Sequence, residues 1–146
     1  METTYLDAIR TAMEEEMARD ERVFLMGEDV GVYGGAFGTS RGLIDRFGPE
    51  RVIDTPISEI AIVGAASGAA LMGMRPIAEM QFIDFITCAY DILVNFAATS
   101  RYRVGSSCPI VVRGAAGAGV HDGPFHSLSP DAVLAAAGGV LPSESR

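Results

Sequence analysis

The sequence has little positive charge and little cysteine, and each shortage excludes a class of function. Eleven basic residues stand against nineteen acidic ones in 146 residues, giving a formal net charge of −8. The basic residues are scattered, with Arg101 and Arg103 the nearest pair, so we expect no nucleic-acid partner and no binding to an anionic membrane surface. Cys88 and Cys108 lack the spacing of metal or redox motifs, which predicts free, buried thiols of a cytosolic protein.

Long apolar runs, targeting signals and phosphate-binding fingerprints are lacking as well. METTYLDAIR has neither the basic region nor the apolar core of a secretory signal. The longest apolar run is too short and too rich in glycine and alanine for a membrane span. We therefore expect a cytoplasmic protein, or a mitochondrial matrix protein in a eukaryote, although no transit peptide is seen. The glycine-rich loops match neither the dinucleotide nor the Walker pattern.

Short apolar runs alternate with helical patterns along the chain. The predicted strands cover 22–27, 51–56, 75–82 and 108–114. The predicted helices cover 4–18, 43–50, 59–72, 84–105 and 130–139. This alternation predicts a three-layer α/β/α fold with a mainly parallel sheet. Ligands of such folds bind beyond the carboxyl ends of the strands, and three loops there carry Glu28, Glu59 and His126.

Glu59 begins a helix that is otherwise uncharged and apolar on every side. Because such a helix is expected to be covered all round, its start should be enclosed, and an enclosed carboxyl group needs a partner. The alternative is an ordinary surface acid in a first helical turn, with Ser58 as the N-cap. Gly64 and Gly68 predict close packing against another helix, within the domain or across a subunit interface.

Two other groups have plain alternatives to a functional role. His126 lies in a glycine-rich loop, where a backbone hydrogen bond is the ordinary interpretation. His121 could join it on a metal, but no third ligand is evident, so no metal site is predicted. An apolar cluster at the end of the third predicted strand and just after it is interpreted as core by default. Its members are Met80, Phe82 and Phe85.

Taken together, four motifs in order resemble one family. "GEDVG", "RVIDTPISE", "RPIAEMQFIDF" and "HSLSP" are similar to the β subunit of thiamine-diphosphate-dependent 2-oxo acid dehydrogenases, the decarboxylating component of the pyruvate and branched-chain complexes. The resemblance runs from about Tyr5 to Leu134. It implies a transketolase-like pyrimidine-binding domain at 1–137 and an irregular tail at 138–146, where the second domain of the family would begin.

The resemblance also implies roles for individual residues. Glu59 corresponds to the glutamate that hydrogen-bonds the aminopyrimidine ring of the cofactor. His126 corresponds to the active-site histidine, and Glu28 to an acid in the passage between paired sites. The apolar wall that holds the ring corresponds to four residues: Ile57, Met80, Phe82 and Phe85.

The expected partners follow from a family motif that this sequence lacks and from the reaction that the resemblance implies. The family's diphosphate-and-metal motif, a GDG followed by Asn, is absent, which implies an α subunit that binds magnesium. A lipoyl-bearing acyltransferase would accept the acyl group, and self-association is expected because the chain is rich in apolar and small residues. The implied activity is oxidative decarboxylation of a 2-oxo acid. The alternative is a truncated, catalytically silent domain that acts only as an association module, and a transketolase-like interpretation fits the motifs less well.

Overall fold

A parallel sheet of four strands forms the centre of the chain. The computed structural model describes residues 2–117, 119, 123–136 and 138–140. The strands are β1 at Val23–Gly27, β2 at Val52–Asp54, β3 at Arg75–Phe82 and β4 at Val111–Ala115. Their order is β2-β1-β3-β4, and every neighbouring pair is parallel. The predicted parallel sheet is confirmed.

Five α-helices and three tighter or wider helical segments precede, connect or follow the strands. The α-helices are α1 at Tyr5–Arg19, α2 at Leu43–Phe47, α3 at Glu59–Leu71, α4 at Ser100–Val104 and α5 at Asp131–Ala135. Two 3₁₀ segments cover Ile83–Ala89 and Phe125–Ser127, and a π segment covers Ile92–Ala97. These counts refer to the part of the chain that the structure describes. Thr4 caps α1 by accepting a hydrogen bond from the Asp7 N–H, a role for which threonine is well suited.

Two apolar cores lie on opposite faces of the sheet. Successive strand residues point to opposite faces, and β1 divides its side chains accordingly. Phe24 and Met26 belong to the core that α3 covers, whereas Val23 and Leu25 belong to the core that α1 covers. The predicted arrangement of helices on both faces of a sheet is therefore confirmed.

The prediction of one long helix at 84–105 is wrong, because the segment is broken into 3₁₀, π and α pieces. Three side-chain hydroxyls bond backbone carbonyls inside it: Thr87 to Asp84, Thr99 to Asn95 and Ser100 to Phe96. Such bonds compete with the regular helical ladder and bend it. The first of these pieces, Ile83–Ala89, includes Asp84 near its start and contacts both β3 and β4.

Two smaller expectations are also corrected. β4 begins at Val111 rather than at Cys108, since Pro109 has no N–H to give to the sheet and Ile110 bonds back to Cys108 at 3.0 Å. The thiols are free as predicted, but Cys88 is exposed and only Cys108 is partly buried. Burial raises the pKa of the Cys108 thiol. Among the described residues, no helix has the length and apolar character that crossing a membrane requires.

A buried ion pair attaches the long loop after β1 to the sheet. Arg113 on β4 donates to Glu79 on β3, and their side chains are only 19% and 7% exposed. Thr39 of the loop accepts from the same guanidinium at 3.1 Å and donates to the carboxylate at 3.3 Å. Because every charge in this group has a partner, the loop is held in one position over the strand ends.

Candidate functional site

Two carboxyl groups interact electrostatically where β1 ends and α3 begins. Glu28 directly follows β1 and is 8% exposed, and Glu59 is the first residue of α3 and is half-buried. Burial raises the pKa of the Glu28 carboxyl, and the charge of Glu59 raises it further, while the Ser58 backbone N–H acts in the opposite direction. The Oε1 atom of Glu28 is buried and has no hydrogen-bond partner among the residues that the structure describes. A buried acceptor without a donor is a position where water or a ligand is expected.

The raised pKa of Glu28 makes stability fall as pH rises. Its ordinary value is 4.5, and the folded chain holds the proton to a higher pH than the unfolded chain does. Stability is therefore lost as pH rises from about 4.5 through the folded pKa. We expect Glu28→Gln to remove this loss, so that its stability advantage over wild type grows with pH across that window. Urea denaturation at a series of pH values measures the difference.

The matched control is Glu50→Gln, which changes an exposed carboxyl group. The difference in the free energy of unfolding between Glu50→Gln and wild type should stay constant across the same pH range. A Glu28→Gln curve that runs parallel to the wild-type curve would show that Glu28 does not titrate abnormally.

Two contacts hold the loop that carries Glu28. The Gly31 N–H donates to Asp54 Oδ1 at 2.6 Å, which fastens the loop to the end of β2. A Cβ at Gly31 would lie 2.4 Å from Asp54 Oδ2, so a side chain there would force the Asp54 carboxylate to shift. Gln81, near the end of β3, donates to Asp29 at 3.4 Å, and Asp29 has a left-handed backbone with φ 56°. The loop after β1 is thus joined to the carboxyl ends of β2 and β3.

His126 lies in an aromatic cluster at the end of β3. Its ring stacks on Phe82 with centroids 4.1 Å apart and planes 15° apart. Phe85 meets it edge-on at 5.4 Å, and Phe125 lies against it at 4.3 Å. Its Nδ1 atom is 3.2 Å from a carboxylate oxygen of Asp84. The imidazole is therefore fixed both by ring contacts and by one acidic partner.

The residues predicted for the site have different surroundings. Glu28 and Glu59 come together, and Phe82 and Phe85 are half-buried beside His126. Of the predicted apolar wall, Met80 is 2% exposed within the core, whereas Ile57 is 81% exposed. The role of these residues as a wall stays a prediction. His121 lies outside the described residues.

The expectation that α3 is covered on every side is wrong for this chain. Ile60 is 52% exposed and Met72 is 85% exposed, on a helix whose other face forms the core. Ala61, Ala65 and Gly68 are exposed as well. Ser58 is the N-cap by position, but its hydroxyl bonds the Pro56 carbonyl at 3.1 Å instead of a helical N–H. We call the exposed side of α3, namely Ile60, Ala61, Ala65, Gly68 and Met72, the α3 face.

Sequence reasoning does not single out Asp84, Arg113 or Asp54. Asp84 and Asp54 each lie at or just beyond the carboxyl end of a strand, which is the signal that could have drawn attention to them. Two surface clefts, of about 470 and 290 Å³, are lined by neither carboxyl of the pair nor by His126. The site residues thus lie outside these two clefts of the described chain.

Comparison with known proteins decides the family. The family model for the transketolase pyrimidine-binding domain matches residues 1–138. The chain belongs to this family. A pyrimidine-binding domain of this kind has the parallel sheet and flanking helices described above. One similar solved structure is a split-gene transketolase, an inactive β4 tetramer, with a TM-score of 0.63, 20% identity, and coverage of 88% of this chain and 38% of that one. At that identity the likeness concerns the fold alone.

Curated relatives of this pyrimidine-binding domain are β subunits of 2-oxo acid dehydrogenases. The 2-oxoisovalerate dehydrogenase subunit beta of Bacillus subtilis is 55% identical over 134 residues, which is 90% of this chain and 41% of the relative. The pyruvate dehydrogenase E1 component subunit beta of Rickettsia felis is 48% identical over 129 residues, covering 87% of this chain and 40% of the relative. The chain thus spans about two fifths of the length of these relatives.

Proposed function

We propose that this domain contributes the aminopyrimidine half of a thiamine diphosphate site in the β subunit of a 2-oxo acid dehydrogenase. The observation that carries the proposal is the pair of carboxyl groups, Glu28 and Glu59, at the start of α3. The identity to dehydrogenase β subunits supports the same function. The reaction would be oxidative decarboxylation of a 2-oxo acid, with the acyl group passed to the lipoyl group of an acyltransferase.

The residues fit the pyrimidine end of the cofactor. Glu59 is half-buried, so a carboxylate oxygen can reach a ring nitrogen while it is shielded in part from water. Beside Glu59, Glu28 offers a buried oxygen, Oε1, that accepts no hydrogen bond from any residue that the structure describes. When bound, thiamine diphosphate supplies the electron sink for decarboxylation. Glu59 would hold or release a proton at its carboxylate oxygen, and His126 would orient the substrate or donate a proton to it.

The remainder of the site would come from an α subunit. The sequence contains no GDG motif followed by Asn, so we assign the magnesium ligands and the diphosphate half to that partner. A cytoplasmic location is part of the same proposal. The α3 face supports such a partner, because it leaves uncovered Ile60, next to Glu59, and Met72, at the far end of α3.

Two glycines of α3 have no packing reason in the part of the chain that the structure describes. A Cβ at Gly64 or Gly68 would meet nothing within 4 Å, so alanine would fit at either position. Glycine in a helix interior costs up to about 1 kcal/mol relative to alanine. Close approach of a second backbone explains why small residues occur on this face. We therefore place the contact with the α subunit on the α3 face.

Gly68→Leu tests this contact. Since the position is open, we expect the variant chain to be at least as stable as wild type. Its affinity for the α subunit of the Bacillus subtilis 2-oxoisovalerate dehydrogenase should fall about tenfold or more, a loss of at least ~1.4 kcal/mol. Analytical ultracentrifugation of the mixtures measures the affinity, and Ala12→Leu on the exposed side of α1 is the control. If Gly68→Leu and wild type bound the α subunit with equal affinity, the α3 face would not be the contact with that subunit.

A second candidate is a folded association module without catalysis. It is favoured by the exposed α3 face, which offers an apolar surface for association whether or not the site is active. Calorimetric titration with thiamine diphosphate and Mg²⁺ separates the two candidates. The enzyme-subunit proposal predicts binding once the α subunit has assembled with the chain. Assembly without any cofactor binding would establish the silent module.

A further inference from the structure

We propose that Asp84 is a positioning residue that fixes the tautomer of His126; the inference rests on the proposed function for its consequence in turnover. Asp84 lies in the first turn of the 3₁₀ segment that follows β3. Its two carboxylate oxygens are 3.4 and 3.2 Å from His126 Nδ1. The two side chains are 12% and 18% exposed, so the pair is largely shielded from water.

A carboxylate acceptor at Nδ1 determines which nitrogen carries the proton. A neutral imidazole has one N–H and one lone pair, and the N–H is retained where an acceptor faces it. Asp84 therefore holds one proton on Nδ1 and leaves Nε2 as the nitrogen that takes up a second proton and can pass it to the substrate. If the proton moved to Nε2, the Nδ1 lone pair would face a buried carboxylate, which is repulsive and leaves the acid without a donor.

The aromatic cluster supplies the other restraint. Phe82 lies parallel to the imidazole and sets its plane, while Phe85 and Phe125 contact it from two further directions. These rings are apolar and do not distinguish Nδ1 from Nε2. Among these neighbours Asp84 alone distinguishes the two nitrogens. Its contribution is thus separate from packing, and a measurement of the tautomer can detect it.

The first test uses the full 146-residue chain without any partner. Two-dimensional ¹⁵N spectra at a pH of about 8.5, above the titration range of ordinary histidines, report which ring nitrogen is protonated. His121→Gln assigns the signals, because the chain has two histidines. We expect the Nδ1–H form for His126 in the wild type. We expect Asp84→Asn, whose amide can also donate, to shift His126 largely to the Nε2–H form, and Asp91→Asn, at an exposed position, to leave it unchanged.

The second test measures turnover in the complex with the α subunit. Asp84→Asn should lower kcat about 10²-fold with KM within about threefold, and Asp84→Glu should restore part of kcat. A wild-type Nε2–H form, or a wild-type-like kcat for Asp84→Asn, would overturn the inference. If the wild-type complex does not decarboxylate, the proposed function fails, but the ¹⁵N result still decides whether Asp84 sets the tautomer. Because the wild-type spectrum needs no variant, that decision stands even if Asp84→Asn does not fold.

Discussion

Glu59→Gln is expected to reduce decarboxylation by at least ~10²-fold in the complex of this chain with an α subunit, the scale of a general acid–base contribution. The amide keeps the size of the side chain but cannot exchange a proton with a ring nitrogen. Glu59 is half-buried next to Glu28, so losing one carboxylate should not unfold the chain. Steady-state turnover of a 2-oxo acid, with assembly confirmed, is the measurement.

Glu50→Gln is the matched control for that experiment, since it makes the same change at an exposed position away from the start of α3. It should retain wild-type turnover. If Glu59→Gln were equally active, Glu59 would have no part in proton transfer, and the carboxyl pair would lose its proposed meaning.

Arg113→Met is expected to destabilise the chain by about 3–5 kcal/mol, because removing one member of a buried ion pair leaves the other charge without a partner. Glu79 is 7% exposed and, among the described residues, would keep only the Thr39 hydroxyl as donor. A loss of this size is a large fraction of the stability of an ordinary domain. Urea denaturation monitored by circular dichroism measures it.

Two variants make the reason for that loss testable. Arg10→Met breaks a surface pair with Asp7, whose side chains are 33% and 40% exposed, and should cost no more than about 1 kcal/mol. Adding Glu79→Leu to Arg113→Met should recover much of the lost stability, because the orphaned charge is then gone. If the double variant were less stable than Arg113→Met, packing rather than charge would explain the effect.

The elements with strong local signals are those that the sequence predicts well. β3 is predicted at 75–82 and observed at Arg75–Phe82, because Gly73 and the change of periodicity mark its start. α3 is predicted from residue 59 to residue 72 and observed at Glu59–Leu71. The apolar period of α1 and its Thr4 cap are equally local. Capping and turn residues, together with the hydrophobic periodicity, thus predict most of the helices and strands of the three layers. They also predict the position of Glu59 at the start of a helix.

The contacts that define the site are not local, and this is why sequence reasoning misses them. Asp84 and His126 are 42 residues apart, and Glu79 and Arg113 are 34 apart. No sequence-spacing rule relates residues that are so far apart along the chain. The order of the strands in the sheet brings them together. The exposed α3 face has a related cause, since a run of apolar and small residues looks the same whether its cover is in the same chain or in another.

The most direct test of the central claim is a crystal structure of this chain with an α subunit, thiamine diphosphate and Mg²⁺. The account predicts a carboxylate oxygen of Glu59 within about 2.6–3.2 Å of an aminopyrimidine nitrogen, with the α3 face covered by the partner. A structure in which the cofactor is bound but that carboxylate points to solvent, or in which another acid contacts the ring, would contradict it.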